Sequence, residues 1–125
     1  GLEAREAYFS VTDFNHTVLT PLVSGQGASY RPFHWIDGES DEEVALQPEG
    51  VLILDGVFSF SKPLRAQVDL SIFVDTPVHV RKQRMLSRPQ LNTEWVGHWQ
   101  GTEAWHHQHE YTADAVDFVL SGNRQ

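Results

Sequence analysis

Asp55 closes the apolar run Val51-Leu52-Ile53-Leu54 and is followed by Gly56. A carboxylate at the end of a buried strand can hold Mg²⁺, usually through water, while the glycine leaves room for a phosphate. A turn or helix-cap aspartate would have the same surroundings. Arg81, Arg84 and Arg88 are spaced by three and four residues and so share one face of a predicted helix. Their planar forks suit phosphate oxygens, and three on one face can clamp a polyphosphate. The alternative is a solvated cationic face paired with the acidic stretch at 37–49. Phe33, His34 and Trp35 lie on a predicted extended segment, where an aromatic can stack on a base or another flat ligand. His98, His106, His107 and His109 gather near the C-terminal end. His106 and His109 have the i, i+3 spacing of a metal pair, with Glu103 or Glu110 nearby. No His-Glu-x-x-His pattern supports them, so a solvated or aromatic-packed group is the simpler reading. Trp95, Trp99 and Trp105 read as core or lid packing.

The elements that must position these residues are mostly short. Residues 2–8 can form a helix, and Thr12 or Asp13 can cap a second over 14–22, where Phe14, Val18 and Leu22 recur at i, i+4 and i+8. Residues 30–36 read as extended, the acidic stretch as an exposed loop, and 44–46 as a short strand. Residues 51–54 form the clearest element, a continuous β-favouring run suited to a strand buried on both faces. A second such run covers 70–74 and also ends in a carboxylate, Asp75. The crossover between them, 57–68, has helical or turn character. Thr76 as N-cap and Pro77 at the first helical position predict a helix to about residue 87, stopped by Pro89. A further helix is expected over 94–111, broken or kinked near Gly97 and Gly101, and a last strand over 116–120. This order predicts an α/β fold, a three-layer, doubly wound and mostly parallel sheet. Ligands of such sheets bind beyond the carboxyl ends of the strands, where Asp55 and Asp75 fall.

The 125 residues suit one domain, with no repeat or linker to divide them. Nine basic against 17 acidic residues give a net charge of −8, which disfavours nucleic acid and anionic membrane as partners. Four of the nine cations lie within residues 81–88, an arrangement fit to hold a small anion. No apolar run approaches the ~20 residues of a membrane span, and no signal peptide is visible. The lack of cysteine rules out disulfides and agrees with a reducing, cytoplasmic setting. The sequence has no Gly-x-x-x-x-Gly-Lys-Ser/Thr, since Lys62 follows Ser61 and Lys82 follows Arg81.

Together these segments resemble the uridine kinase and phosphoribulokinase family of P-loop kinases. Val51-Leu52-Ile53-Leu54-Asp55-Gly56-Val57-Phe58 is similar to the family's strand ending in an acidic residue and glycine. Leu64-Arg65 followed by Asp69-Leu70-Ser71-Ile72-Phe73-Val74-Asp75-Thr76 resembles its next strand, and Ala115-Val116-Asp117-Phe118-Val119 its closing one. Tyr8, Asp13-Phe14, Pro21-Leu22 and Tyr30-Arg31-Pro32 resemble the stretch leading into its nucleoside-binding hairpin. The resemblance implies a phosphotransferase of P-loop NTPase type, using ATP or another NTP and Mg²⁺ to phosphorylate a hydroxyl of a nucleoside or similar small molecule. Asp55 would help hold Mg²⁺, Arg81, Arg84 and Arg88 would contact phosphate within a lid-like region at about 81–111, and Trp35 would face the acceptor base. Ile36 stands where the hairpin carries an acid. The family's first strand, phosphate loop and acceptor-activating aspartate are expected before Gly1, so the 125 residues alone are expected to be inactive. Two other readings are a non-catalytic, pseudokinase-like binding module and a structural acidic domain whose open sheet edge supports homo-oligomers.

Overall fold

The computed structural model describes residues 1–34, 38–89, 93–111 and 113–123. Helix α1 (Leu2–Tyr8) leads into a continuous helical stretch made of α2 (Val11–Phe14), a π-helical segment (Asn15–Leu19) and α3 (Thr20–Val23). The stretch starts earlier than expected because the cap is Ser10, whose Oγ accepts from the Asp13 amide at 3.2 Å, and not Thr12 or Asp13. Pro21 accounts for the π segment. Its ring would crowd the carbonyl four residues earlier, at Thr17, and it offers no amide hydrogen; widening the preceding turn accommodates both.

Next comes a long hairpin. Strand β1 (Ala28–Tyr30) pairs antiparallel with β4 (Val44–Leu46) at its base, and β2 (Phe33–His34) with β3 (Gly38–Glu39) nearer its tip. The acidic stretch is therefore partly in strands, not all loop. After it, α4 (Lys62–Arg65) leads to β5 (Ile72–Asp75), α5 (Val78–Leu86), α6 (Thr93–His109), a 3₁₀ turn (Ala113–Ala115) and β6 (Phe118–Ser121). Strands β5 and β6 are parallel, with Ile72 opposite Phe118 and Asp75 opposite Ser121. Helix α5 begins one residue later than expected, with Pro77 and not Thr76 at its cap. Helix α6 passes Gly97 and Gly101 without a break. A side chain at either glycine would meet only open space, so neither is there to admit a neighbour.

The described residues give a mixed α/β fold with small parallel and antiparallel sheets. Among the described residues the sheets are three two-stranded pairs, and 51–54 belongs to none of them. Val51 is 92% exposed and Ile53 81%, whereas the pattern predicted burial on both faces. Leu70, Ile72, Val74, Phe118 and Leu120 are also more than half exposed. What the fold does bury lies to one side. Val11, Leu19, Phe58 and Leu64 form the core cluster, with Tyr8, Phe14, Leu54 and Trp99 packed against it. Trp99 stacks on Trp95 at 5.4 Å and meets Phe58 at 5.1 Å, as expected of packing residues. Only Leu54 of the 51–54 run reaches this cluster.

Candidate functional site

The arginines of α5 and the carboxyl ends of the parallel pair come together. Strand β5 ends at Asp75, whose carbonyl accepts the Gly122 amide at 2.8 Å just beyond β6. That approach requires glycine, since a Cβ at 122 would lie 1.9 Å from Thr76 Oγ1. Arg84 Nη1 donates to the Gly122 carbonyl at 3.0 Å. Arg81, one turn earlier, gives Nη1 to Glu103 Oε1 of α6 at 2.6 Å. The two arginines thus do share a face, and it faces the strand ends and α6. Arg81 pairs with Glu103, not with the acidic stretch, so the alternative of a cationic face neutralised by that stretch does not hold for it. Arg88 is exposed.

Asp55 is exposed, and no hydrogen bond or ion pair joins it to the arginines among the described residues. Gly56 beside it has φ of 153°, a conformation that side chains other than hydrogen rarely adopt, and open space where a Cβ would stand. Phe33 and His34 are exposed on β2. Trp35, expected against the acceptor base, and Ile36 lie outside the described residues. The hairpin base and helical stretch border a cavity of about 570 Å³ lined by His16, Thr17, Pro21, Ser29 and Leu46. Another, about 480 Å³, is lined by Lys62, Arg65, Asp69 and Asp117 and lies toward the amino ends of β5 and β6. Neither is lined by Asp55 or the α5 arginines.

His106, His107 and His109 pack on aromatics, whereas His98 is exposed. His109 stacks on Trp105 at 4.8 Å and its Nδ1 meets the Trp105 carbonyl at 2.8 Å. His106 is 2% exposed against Phe58, and its Nδ1 has no partner among the described residues. Among the described residues no group of three or more acids and histidines could hold a metal ion. Burial foremost, with His107 and the cations of Arg5 and Arg65, pushes the His106 imidazole down to about 4 against an ordinary 6.5, although Glu110 opposes the shift. The unfolded chain therefore binds this proton more readily than the folded one. His106 should cost no stability above pH 6.5 and progressively more as pH falls toward 4. The midpoint of thermal unfolding should drop through that window in the native chain and less in His106→Phe; parallel curves would remove His106 as the cause.

Glu103 and His107 were not expected here. His107 is half-buried one turn along α6 from Glu103, edge-on to Phe73 at 5.6 Å. Burial foremost lowers its pKa and Arg81 adds to this, while Glu103 and Asp75 pull it up. Asp75, Arg81, Glu103 and His107 thus form one polar group at the end of β5. The only sequence signal was Glu103 and His107 at i, i+4. Nothing local linked either to Arg81.

The chain is 44% identical over 74 residues to the uridine kinase of Shewanella halifaxensis, an alignment covering 58% of this chain and 35% of that protein. Over 50 residues it is 46% identical to the uridine kinase of Shewanella piezotolerans and 40% identical to that of Staphylococcus haemolyticus, covering 39% of this chain and 24% of each relative. The matched part thus spans about a third or less of these relatives' length. No family model matches the sequence. The resemblance seen in the motifs is therefore a sequence similarity to uridine kinases over part of the chain. No described helix is long and apolar enough to cross a membrane.

Proposed function

We propose that this chain is the portion of a uridine kinase-type phosphotransferase that follows its phosphate loop, and that it moves a nucleotide γ-phosphate to a hydroxyl of a nucleoside or similar small molecule. The observation that carries this is 44% identity to a uridine kinase over 74 residues. The geometry agrees, since Arg84 meets the backbone just beyond the carboxyl end of β6, where α/β sheets bind ligands, and Arg81 one turn away is held by Glu103 of α6. In this reading α5 and α6 make up the lid-like region at 81–111, and Phe33, His34 and Trp35 are the residues that contact the acceptor. Arg81, Arg84 and Arg88 orient the transferring group and offset its developing charge. Phosphates come from ATP or another NTP. Asp55, exposed and unengaged, is a hard oxygen donor and fits Mg²⁺ as one ligand through water, beside a glycine with open space. When bound, Mg²⁺ neutralises phosphate charge.

The first strand and phosphate loop would come from an upstream segment. The exposed apolar residues of 51–53, β5 and β6 support this, because each aliphatic side chain left in water forgoes ~1.5–3 kcal/mol of burial. The test is a chain extended upstream through that loop, given uridine, ATP and Mg²⁺. Phosphorylated uridine is expected from the extended chain and none from the 125 residues alone. A folded, extended chain without transfer sinks the kinase reading. Nucleotide binding without turnover would instead favour the non-catalytic module, and self-association of the 125 residues the use of the open edge by a second copy.

A further inference from the structure

Arg81 is held, but not used up. Among the described residues one of its five N–H donors meets Glu103 and Nε is buried without an acceptor, while the side chain keeps 28% of its surface exposed. The Glu103 side chain is only 11% exposed. Releasing Arg81 would leave that carboxylate buried and unpaired, which is strongly unfavourable, so an incoming anion does not displace Glu103. Nor can His107 take the arginine's place. It faces Glu103, Arg81 and Asp75 as well as the rings of Phe73 and Tyr111, and burial favours its neutral form.

We infer that Glu103 is a positioning residue: its 2.6 Å ion pair fixes the Arg81 guanidinium across the gap between α5 and α6, so that the remaining donors meet a phosphoryl oxygen at the carboxyl ends of β5 and β6. This rests on the phosphotransfer reading and deepens it. The alternative role, an internal anion competing with phosphate, predicts the opposite sign.

Inorganic tripolyphosphate is titrated into the 125-residue chain while the Arg81 Nε–H resonance is followed by NMR. Glu103→Leu fills the volume without holding the guanidinium, and Glu103→Gln keeps an acceptor. The native chain is expected to show a saturable Arg81 shift. Glu103→Leu should weaken it by about 10-fold, the order expected for loss of an orienting partner, and Glu103→Gln by no more than about threefold. Thermal unfolding establishes that each variant is folded, and should Glu103→Leu not fold, Glu103→Met, an unbranched apolar side chain of similar length, takes its place with the same expected loss on the same Arg81 resonance. Native-like or tighter binding by Glu103→Leu, equal loss in both Glu103 variants, or no Arg81 response in the native chain overturns the inference. The kinase reading is judged separately, by transfer in the extended chain. Transfer there with a native-like Glu103→Leu titration leaves that reading standing and removes this one.

Discussion

Glu110→Ala is expected to destabilise the fold by about 3 kcal/mol, the lower end of the cost of breaking a buried ion pair. Glu110 joins segments far apart in the chain. Its Oε1 accepts from Arg5 at 3.2 Å across 105 residues, its Oε2 accepts the Lys62 amide at 2.8 Å, and its carbonyl accepts from Arg65. Arg5 is 3% exposed and also donates to Ser61 Oγ at 3.2 Å and Glu6 at 2.6 Å. Alanine at 110 would leave the Lys62 amide without its acceptor at the start of α4 and Arg5 with Glu6 as its ionic partner. Glu6 keeps the loss from reaching the upper end of the range. Urea unfolding should show the drop at nearly constant m-value, because the surface exposed on unfolding hardly changes. Glu110→Gln, which still accepts from Lys62, should fall between. The paired change Arg5→Met with Glu110→Leu should recover much of the loss, since apolar groups of similar volume leave no buried charge behind. A Glu110→Ala chain within about 0.5 kcal/mol of the native one, the range of ordinary surface changes, would show that this network does not hold α1 to the end of α6.

None of that network was legible in sequence. Arg5, Ser61 and Glu110 have no spacing that relates them, and only the fold brings them together. The same holds for Arg81 and Glu103, 22 residues apart on different helices. Local rules did better where one segment supplies its own reasons. The helix after Thr76 was readable from Pro77 and Pro89, and the run at 70–74 from its β-branched, apolar content. The absence of a ligand pattern left the C-terminal histidines as solvated or aromatic-packed, and both occur: His98 is exposed while His106, His107 and His109 meet aromatic rings. Local rules misjudged α6, because the glycines' propensity cost of ~1 kcal/mol each is set against tertiary packing. Trp95 stacks on Trp99 across Gly97, and Tyr8 meets both rings, so the helix continues.

The run at 51–54 marks a different boundary of inference. Its pattern reports a need for cover on two faces, and the structure leaves Val51 and Ile53 open. Periodicity registers the demand for burial but not which segment meets it. The exposed faces of β5 and β6 express the same demand, and an upstream strand answers all three in the kinase reading. The hairpin at 28–46 was read only in pieces. Its nested pairing depends on cross-strand registers, Tyr30 against Val44 and Phe33 against Glu39, that no single strand encodes.

In the extended, active chain, Asp55→Asn is expected to lower kcat by roughly 10²-fold, about 2.7 kcal/mol of transition-state stabilisation. The exchange keeps shape and removes one negative charge. Because Asp55 is exposed and makes no hydrogen bond or ion pair among the described residues, the fold should not depend on it, and stability should stay within about 0.5 kcal/mol of native. That separation gives the test its force. A turn aspartate would leave both activity and stability nearly unchanged, and a capping aspartate would lower stability. An aspartate that holds Mg²⁺ through water would lower kcat alone, and raising the Mg²⁺ concentration should recover part of the loss by mass action. Activity within about threefold of native would return Asp55 to the turn reading and leave the arginines of α5 as the part of the site this chain supplies.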